Sequence, residues 1–282
     1  MIKIAIPNKG ALSEGALALV QEAGYRCSRS GRELTVTDAA NGIEFVFLRP
    51  RDIAVYVSQG IIDIGITGRD LNFDAANPAF EALKLGFGRS VFRYAVPNDS
   101  DLTPDTLGGK RIACSYANIV RRDLQRRGVD AEIVTVDGAV EISVRLGVAD
   151  AVADVVESGR TLQDAGLKTV GEPVMESEAI VVAKSQAAVA LPGVAVFLRR
   201  LEGIILAREY AMIEYDVPRT IQDDATAITP GIEAPTVMPL NDPAWVAVKA
   251  MIKKKGVNDV IDKLHDIGAR GIVLTDIRTC RL

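Results

Sequence analysis

The chain has 282 residues, 48% hydrophobic and 25% charged, with a net charge of −4. That length holds two or three domains, and the acidic balance argues against general binding to nucleic acid. A single histidine and three scattered cysteines argue against a histidine-built metal centre, a zinc site or a disulfide framework, and suit free thiols in a reducing cytoplasm. Residues 2–6 open the chain as an alternating strand, with no basic region followed by an apolar one, so no signal peptide is expected. No apolar run reaches the length of a membrane span. Further strands are predicted at Ile43–Leu48, 63–67, Arg111–Cys114, 132–136, Ala151–Val156 and Ala179–Ala183. Helices are predicted at 13–23, Pro50–Ser58, 119–127, 139–146 and 194–209. Pro50 suits a first helical position, and Gly24 and Gly128 suit helix stops. Alternation of strands and helices predicts an α/β architecture with largely parallel sheets.

The last 71 residues change character. They read strand (211–216), helix (220–227), strand (236–240), strand (245–252), helix (257–267), strand (271–276). That is the βαββαβ order of a ferredoxin-like module. His265, the lone histidine, falls on the polar side of the second helix, and a catalytic role for it is not expected.

A short internal repeat is visible. Gly60-Ile-Ile-Asp63-Ile-Gly-Ile-Thr67-Gly68-Arg69 resembles Gly147-Val-Ala-Asp150-Ala-Val-Ala-Asp154, followed by Gly159-Arg160. Each runs from an apolar strand into a Gly-Arg loop. It predicts two related lobes across a cleft, with chain crossings near 91–97 and 177–184.

The chemistry concentrates between Glu141 and Leu162. A strand, apolar except for Asp154, leads into Glu157-Ser158-Gly159-Arg160-Thr161, where a helix begins. A helix start carries free N–H groups and partial positive charge, which suits a phosphate. Gly159 permits close backbone approach, and Ser158 and Thr161 add hydroxyl donors. An acid just before such a loop suits ribose hydroxyls or a metal ion bridging phosphates. Ligands of open α/β sheets lie beyond the carboxyl ends of strands. There the sequence places Lys9 and Gly10, Arg49, Gly68 and Asp70, Ser90, and Tyr116. Each also has a plainer reading: an N-cap for Ser158, an exposed i, i+4 pair for Glu141 and Arg145, a loop lysine for Lys9, a helix cap for Asp70, a core-edge aromatic for Tyr116.

The spacing of Glu141, Gly147, Ala149, Val152, Asp154, Val155, Ser158, Gly159, Thr161 and Leu162 resembles the signature of the ATP phosphoribosyltransferase family. So do Asn8-Lys9-Gly10, Gly65-Ile-Thr-Gly68-Arg-Asp70, Arg111-Ile-Ala-Cys-Ser-Tyr116, and Ala227-Ile-Thr-Pro-Gly231 and Ala234-Pro-Thr-Val-Met-Pro239 in the tail. The tail resembles the long form of the family. The resemblance implies two periplasmic-binding-protein-like lobes of type II, residues 1–92 with 182–210 and residues 93–181, and a regulatory domain at 211–282. It implies a cytoplasmic, Mg²⁺-dependent enzyme that joins ATP to phosphoribosyl pyrophosphate, forms dimers and hexamers, and is inhibited by histidine.

On that resemblance Lys9, Arg49, Asp154 and Glu141 would be catalytic. Asp154, Val155, Val156, Glu157, Ser158, Gly159, Arg160 and Thr161 would hold phosphoribosyl pyrophosphate. Lys9, Gly10, Arg49, Gly68, Asp70, Ser90 and Tyr116 would serve ATP. Asp216, Ile232, Ala234 and Thr236 would take histidine, and the metal ligands stay unassigned. A two-lobed solute-binding protein, a ligand-sensing regulator and a phosphoribosyltransferase with another acceptor are the rival readings. Neither a membrane nor a nucleic-acid partner is expected.

Overall fold

The computed structural model describes every residue except Ser30, Arg32 and Leu282. The chain divides into two compact units, Met1–Leu198 and Arg199–Leu282. The first contains β1 (Ile2–Pro7), α1 (Ala11–Glu22), β2 (Thr35–Asp38), β3 (Ile43–Leu48), α2 (Pro50–Ser58), β4 (Ile64–Gly68), α3 (Arg69–Asp74), β5 (Phe80–Lys84) and β6 (Ser90–Pro97). It continues through β7 (Arg111–Cys114), α4 (Ala117–Arg127), β8 (Glu132–Thr135), α5 (Ile142–Arg145), β9 (Ala151–Val156), α6 (Arg160–Asp164), β10 (Leu167–Ser177), β11 (Ala179–Ala183) and α7 (Gln186–Val189). Helix α8 (Pro192–Glu209) follows.

Two sheets result, ordered β2-β3-β1-β4-β11-β5 and β10-β6-β9-β7-β8. They share one plan, as the lobes of a type II periplasmic-binding-protein fold do. Reading β3-β1-β4-β11-β5 against β8-β7-β9-β6-β10 sets β4 and β9 at the same central place. In both, the first two pairings are parallel and the next two antiparallel. The internal repeat marks these equivalent strands. Each leads to a glycine that caps a short helix: β4 ends in Gly68, before α3, and the loop after β9 reaches Gly159, before α6.

Packing explains the composition of the central strands. Every residue of β4 is buried, as a strand covered on both faces must be. A Cβ on Gly65 would lie 2.4 Å from Ile53 Cγ2, so the close seat of α2 on β4 requires glycine there. On the second sheet, Phe92, Tyr94, Ile112 and Ala153 pack with Ile119 and Val120 of α4. Its other face packs Ala95, Val152 and Ala113 against Val140 and Leu162.

Three expectations shift. The crossing anticipated along 91–97 is the buried strand β6, whose apolar residues belong to the second core. The chain instead passes between sheets at 85–89, whereas the other passage, at Glu178, falls inside the expected 177–184. The helix expected at 139–146 shrinks to Ile142–Arg145, because Gly138 (φ 79°) and Ala139 (φ 47°) take left-handed backbone and cannot continue it. No element was expected at β10, an antiparallel edge strand whose register breaks between Val170 and Met175.

The second unit contains β12 (Tyr210–Pro218), α9 (Gln222–Ile228), β13 (Thr236–Pro239), β14 (Trp245–Lys253), α10 (Val257–Asp266) and β15 (Arg270–Asp276). Its sheet order, β13-β14-β12-β15, with every pairing antiparallel, is the ferredoxin-like arrangement. Ile213, Tyr215, Val217, Val246 and Val248 face Ala225 of α9 and Leu264 of α10. Alternation along β12 therefore turns Glu214 and Asp216 to the opposite face.

Candidate functional site

Strand β9 delivers Asp154 and then the loop. Val155 packs against the core on one face of the sheet and Val156 against the core on the other, which fixes the strand end. Asp154 Oδ1 accepts the Val155 N–H at 2.8 Å. Burial pushes the Asp154 carboxyl up to about 6, and the charges of Glu141 and Asp70 push the same way. A half-buried acid thus stands beside other acids with no cation holding it down.

The loop itself is open. Glu157, Ser158, Arg160 and Thr161 are exposed, and Gly159 adopts φ 75°. Within it, Arg160 N donates to Ser158 Oγ at 3.4 Å, and Arg160 lies 3.9 Å from Asp164 with both side chains well exposed. The first turn of α6 leaves its N–H groups without intrahelical acceptors. Ser158 and Thr161 add hydroxyls beside them, so the loop is a set of donors around a small concavity.

A second group gathers around Asp70, which is buried. Ser177 Oγ donates to Asp70 Oδ1 at 2.8 Å, and Asp70 N donates to Ser177 Oγ at 3.0 Å. Burial and then the Asp70 charge raise the pKa of the Tyr116 hydroxyl, which shares a hydrogen bond with that carboxylate. A Cβ at Gly68 would meet Asp70 Oδ1 at 2.3 Å, so a larger residue there would displace the Asp70 carboxylate from its bond with Ser177. Ser90, opposite Ser177 in the strand register, is buried. It shares a cavity of about 460 Å³ with Arg69, Arg89, Glu157 and Glu176. That cavity links the Asp70 side to the loop after β9.

Lys9, Gly10 and Arg49 form a third group. β1 and β3 run parallel with Pro7 opposite Leu48, and Asn8 N donates to Leu48 O at 2.8 Å. All three residues are therefore exposed at neighbouring strand ends. Among the described residues, neither the Lys9 nor the Arg49 side chain takes part in a hydrogen bond or ion pair. Two cations are thereby free for a polyanion, and their geometry ties them to neither of the other groups.

Sequence reasoning missed the most heavily bonded part of this region. Arg51 Nη1 donates to Asp74 Oδ2 at 2.6 Å and Nη2 to Ser115 O at 2.7 Å, with the guanidinium 5.0 Å from the Tyr116 ring centre. Asp74 Oδ1 accepts the N–H groups of Asn118 (2.9 Å) and Ile119 (3.2 Å), capping α4 from the other lobe. In return, Asn118 Nδ2 donates to Asp74 O at 2.7 Å and Arg122 Nη1 to Phe73 O at 2.6 Å. Helices α3 and α4 thus cap each other across the lobes. Partners 23 to 64 residues apart leave no local pattern to read.

In the second unit, Asp216 lies opposite Ala247, and Thr236 lies opposite Lys249. Both sit on the sheet face away from the helices, with β14 between their strands. Lys249 Nζ pairs with Glu214 Oε1 at 2.5 Å on that face. Ile232 and Ala234 lie in the loop before β13, and Ile232 lines a cavity of about 390 Å³ with Tyr210, Met251 and Lys253. Asp216 does not line that cavity. Among the described residues no group of three or more His, Cys, Asp or Glu is arranged to hold a metal ion, and no helix is long and apolar enough to cross a membrane.

Comparison with known proteins agrees with this anatomy. The family model for ATP phosphoribosyltransferase matches residues 49–203, and the model for the C-terminal domain of that family matches residues 207–279. The ATP phosphoribosyltransferase of Salinibacter ruber is 56% identical over 283 residues, covering 100% of each chain. That of Rhodococcus erythropolis is 52% identical, covering 100% of this chain and 99% of its own. Among solved structures, the ATP phosphoribosyltransferase HisG:HisZ complex from Thermotoga maritima aligns with TM-score 0.63 and 26% identity, over 72% of this chain and 97% of that one. With matching lobes, loop and tail along its whole length, the chain belongs to the ATP phosphoribosyltransferase family, which catalyses the first step of histidine biosynthesis.

Proposed function

We propose that the loop after β9 and the strand ends facing it carry out the family reaction with the residues named above in distinct roles. The reaction joins ATP to phosphoribosyl pyrophosphate. The adenine N1 lone pair attacks C1 of the ribose, the bond from C1 to the pyrophosphate oxygen breaks, and that oxygen takes the electron pair. Holding the two reactants in line replaces a large entropic barrier. No proton need leave the attacking nitrogen as the bond forms, which suits a chain whose one histidine, His265, lies exposed on α10.

Ser158, Gly159, Arg160 and Thr161, with the backbone of Val155, Val156 and Glu157, grip the sugar phosphate. Asp154 holds the ribose hydroxyls, with Glu141 beside it. Lys9 and Arg49 meet the pyrophosphate or triphosphate. Gly10, Gly68, Asp70, Ser90 and Tyr116 shape the ATP side. The observation that carries this reading is Asp154, raised to about 6 and facing Glu141 and Asp70, at the mouth of a donor-rich loop. A polyhydroxylated, Mg²⁺-bearing ligand supplies the donors and positive charge that this acid lacks in the protein alone.

The donor set fits Mg²⁺. That ion commonly takes one or two carboxylates and completes its shell with water and substrate phosphates, so an all-protein cage is not required. Asp154 and Glu141 are the carboxylates that would hold it. When bound, it would neutralise charge building on the leaving pyrophosphate.

The ferredoxin-like unit serves regulation in this proposal. Histidine binds with Asp216 paired to its amino or imidazolium group, beside Ile232, Ala234 and Thr236. The open sheet face that bears Asp216 and Thr236 suits completion by a second copy, in keeping with a dimer or hexamer in the cytoplasm. An ultraviolet difference assay with ATP, phosphoribosyl pyrophosphate and Mg²⁺, with and without histidine, tests both halves. Product formation suppressed by histidine is expected. Histidine-insensitive turnover would remove the regulatory half, and binding without turnover would return a solute-binding role.

A further inference from the structure

The second sheet carries one charged group that the proposed function does not use. Arg93 stands in the middle of β6, directly opposite Asp154 in the antiparallel register. Directly opposite residues project to the same face, with Cβ atoms about 5 Å apart. An ion pair is the ordinary outcome of such a juxtaposition. Here it does not form. Among the described residues no Arg93–Asp154 salt bridge exists, and Arg93 is not among the groups that shift the Asp154 carboxyl.

The guanidinium turns the other way, toward the edge strand. Its Nη2 donates to Gly171 O at 3.3 Å, where the register of β10 breaks. Its Nε is buried and has no hydrogen-bond partner among the described residues. A buried donor on a charged group without an acceptor is costly, and such groups call for an explanation beyond packing.

The surroundings supply one. Arg93 lines a cavity of about 620 Å³ together with Asn98, Gln163, Lys168, Ser158 and Gly159. Two of these are cations, and Asn98, Gln163 and Ser158 bring further donors. Glu157 is the one acid in the lining. Ser158 and Gly159 belong to the loop already assigned to the sugar phosphate, so cavity and loop are continuous. The volume lies in the ordinary range for a small-molecule site, about 300–1,000 Å³. A planar guanidinium with free N–H groups is the side chain best matched to a tetrahedral, doubly charged oxyanion.

We infer that Arg93, assisted by Lys168, receives the terminal phosphomonoester of the phosphoribosyl substrate in the cavity bounded by the Glu157–Thr161 loop and β10. The inference rests on the assignment of that loop to the sugar phosphate, and it adds a residue from another strand. The break in β10 acquires a purpose: Gly171 O holds the guanidinium beside the cavity that Arg93 lines. Arg93 and Asp154, neighbours that do not pair, then take opposite ends of one ligand, the phosphate and the ribose hydroxyls.

The test is calorimetric titration of the full-length protein with ribose 5-phosphate, with ribose as the control lacking phosphate. Wild type, Arg93→Lys, Arg93→Gln and Ser158→Ala are compared. Arg93→Gln is expected to weaken ribose 5-phosphate binding about tenfold or more, the loss typical of a charge-assisted contact, and Arg93→Lys to recover part of it. ATP affinity stays unchanged, and KM for phosphoribosyl pyrophosphate rises more than kcat falls. Should Ser158→Ala weaken binding while Arg93→Gln binds as wild type does, the loop assignment stands and the role of Arg93 is overturned. Should neither variant change binding, both fail. Lys168 is exposed and its replacement leaves the core intact, so if Arg93→Gln does not fold, Lys168→Gln decides: a loss of about twofold to fivefold supports the cavity, and an unchanged affinity overturns it.

Discussion

Two regions at the same cleft use their charges in opposite ways. Around Asp74 every charge has a protein partner. Arg51 bridges Asp74 and Ser115 O, Asp74 caps α4, and Arg122 and Asn118 return bonds to α3. Around the loop after β9, charges stand side by side without pairing. Asp154 is raised to about 6 beside Glu141 and Asp70, Arg93 Nε has no acceptor among the described residues, and Arg160 reaches Asp164 only at 3.9 Å on the surface. The first region joins the lobes. The second leaves like charges facing one another, which the proposed phosphorylated, Mg²⁺-bearing ligand would relieve. A binding site is thus recognised by what its groups lack in the free protein, and a structural site by what they already have.

That contrast predicts opposite responses to substitution. The largest effect on stability belongs to Asp74→Ala, which removes a buried carboxylate, a helix cap and the partner of Arg51. A loss of about 2–4 kcal/mol is expected in urea unfolding. A loss below about 0.5 kcal/mol would mean that the α3–α4 contact does not hold the lobes. The largest effect on turnover belongs to Asp154→Asn, about a hundredfold or more in kcat/KM for phosphoribosyl pyrophosphate. Near-normal turnover with unchanged sugar-phosphate affinity would remove Asp154 from the reaction.

The pH dependence follows with its sign. Burial, Glu141 and Asp70 raise the Asp154 carboxyl from 3.8 to about 6. The folded protein therefore keeps this proton where the unfolded chain releases it. The contribution is fully present below about pH 4 and is lost as pH rises through 6, an amount of about 1–3 kcal/mol. Comparing unfolding free energies at pH 5 and 7.5 for wild type and Asp154→Asn isolates it: wild type should lose more stability on going to pH 7.5. Equal differences in the two proteins would show that the carboxyl is not strained. The smallest effect is regulatory. Asp216→Ala is expected to leave turnover within about twofold while abolishing suppression by histidine. Normal inhibition in this variant would place the histidine site elsewhere.

Much of the fold could be read from the sequence because its signals are local. The apolar run Ala151–Val156, Pro50 at a helix start and the βαββαβ rhythm of the tail each lie within a few residues. The family signature likewise lies in one stretch, Glu141–Leu162. Whatever depends on distant partners stayed hidden. Arg51 looks like any helical arginine until the Ser115 carbonyl, 64 residues away, accepts its hydrogen bond. Arg93 falls in a stretch that the sequence offers only as a chain crossing, and only the register with Asp154 and the break in β10 reveal its setting. Two glycine-rich errors share a cause. Left-handed backbone at Gly138 and Ala139 truncates α5, and Gly86 and Gly88, both at positive φ, make the crossing that was expected one strand later.

The most direct test is the unfolding free energy of wild type and Asp154→Asn, side by side at pH 8, with and without phosphoribosyl pyrophosphate and Mg²⁺. The variant should be more stable than wild type without ligand, by about 1–2 kcal/mol, and gain much less from the ligand. A variant that is less stable alone, or that gains as much as wild type from the ligand, would contradict the claim that this carboxylate is kept strained for the substrate.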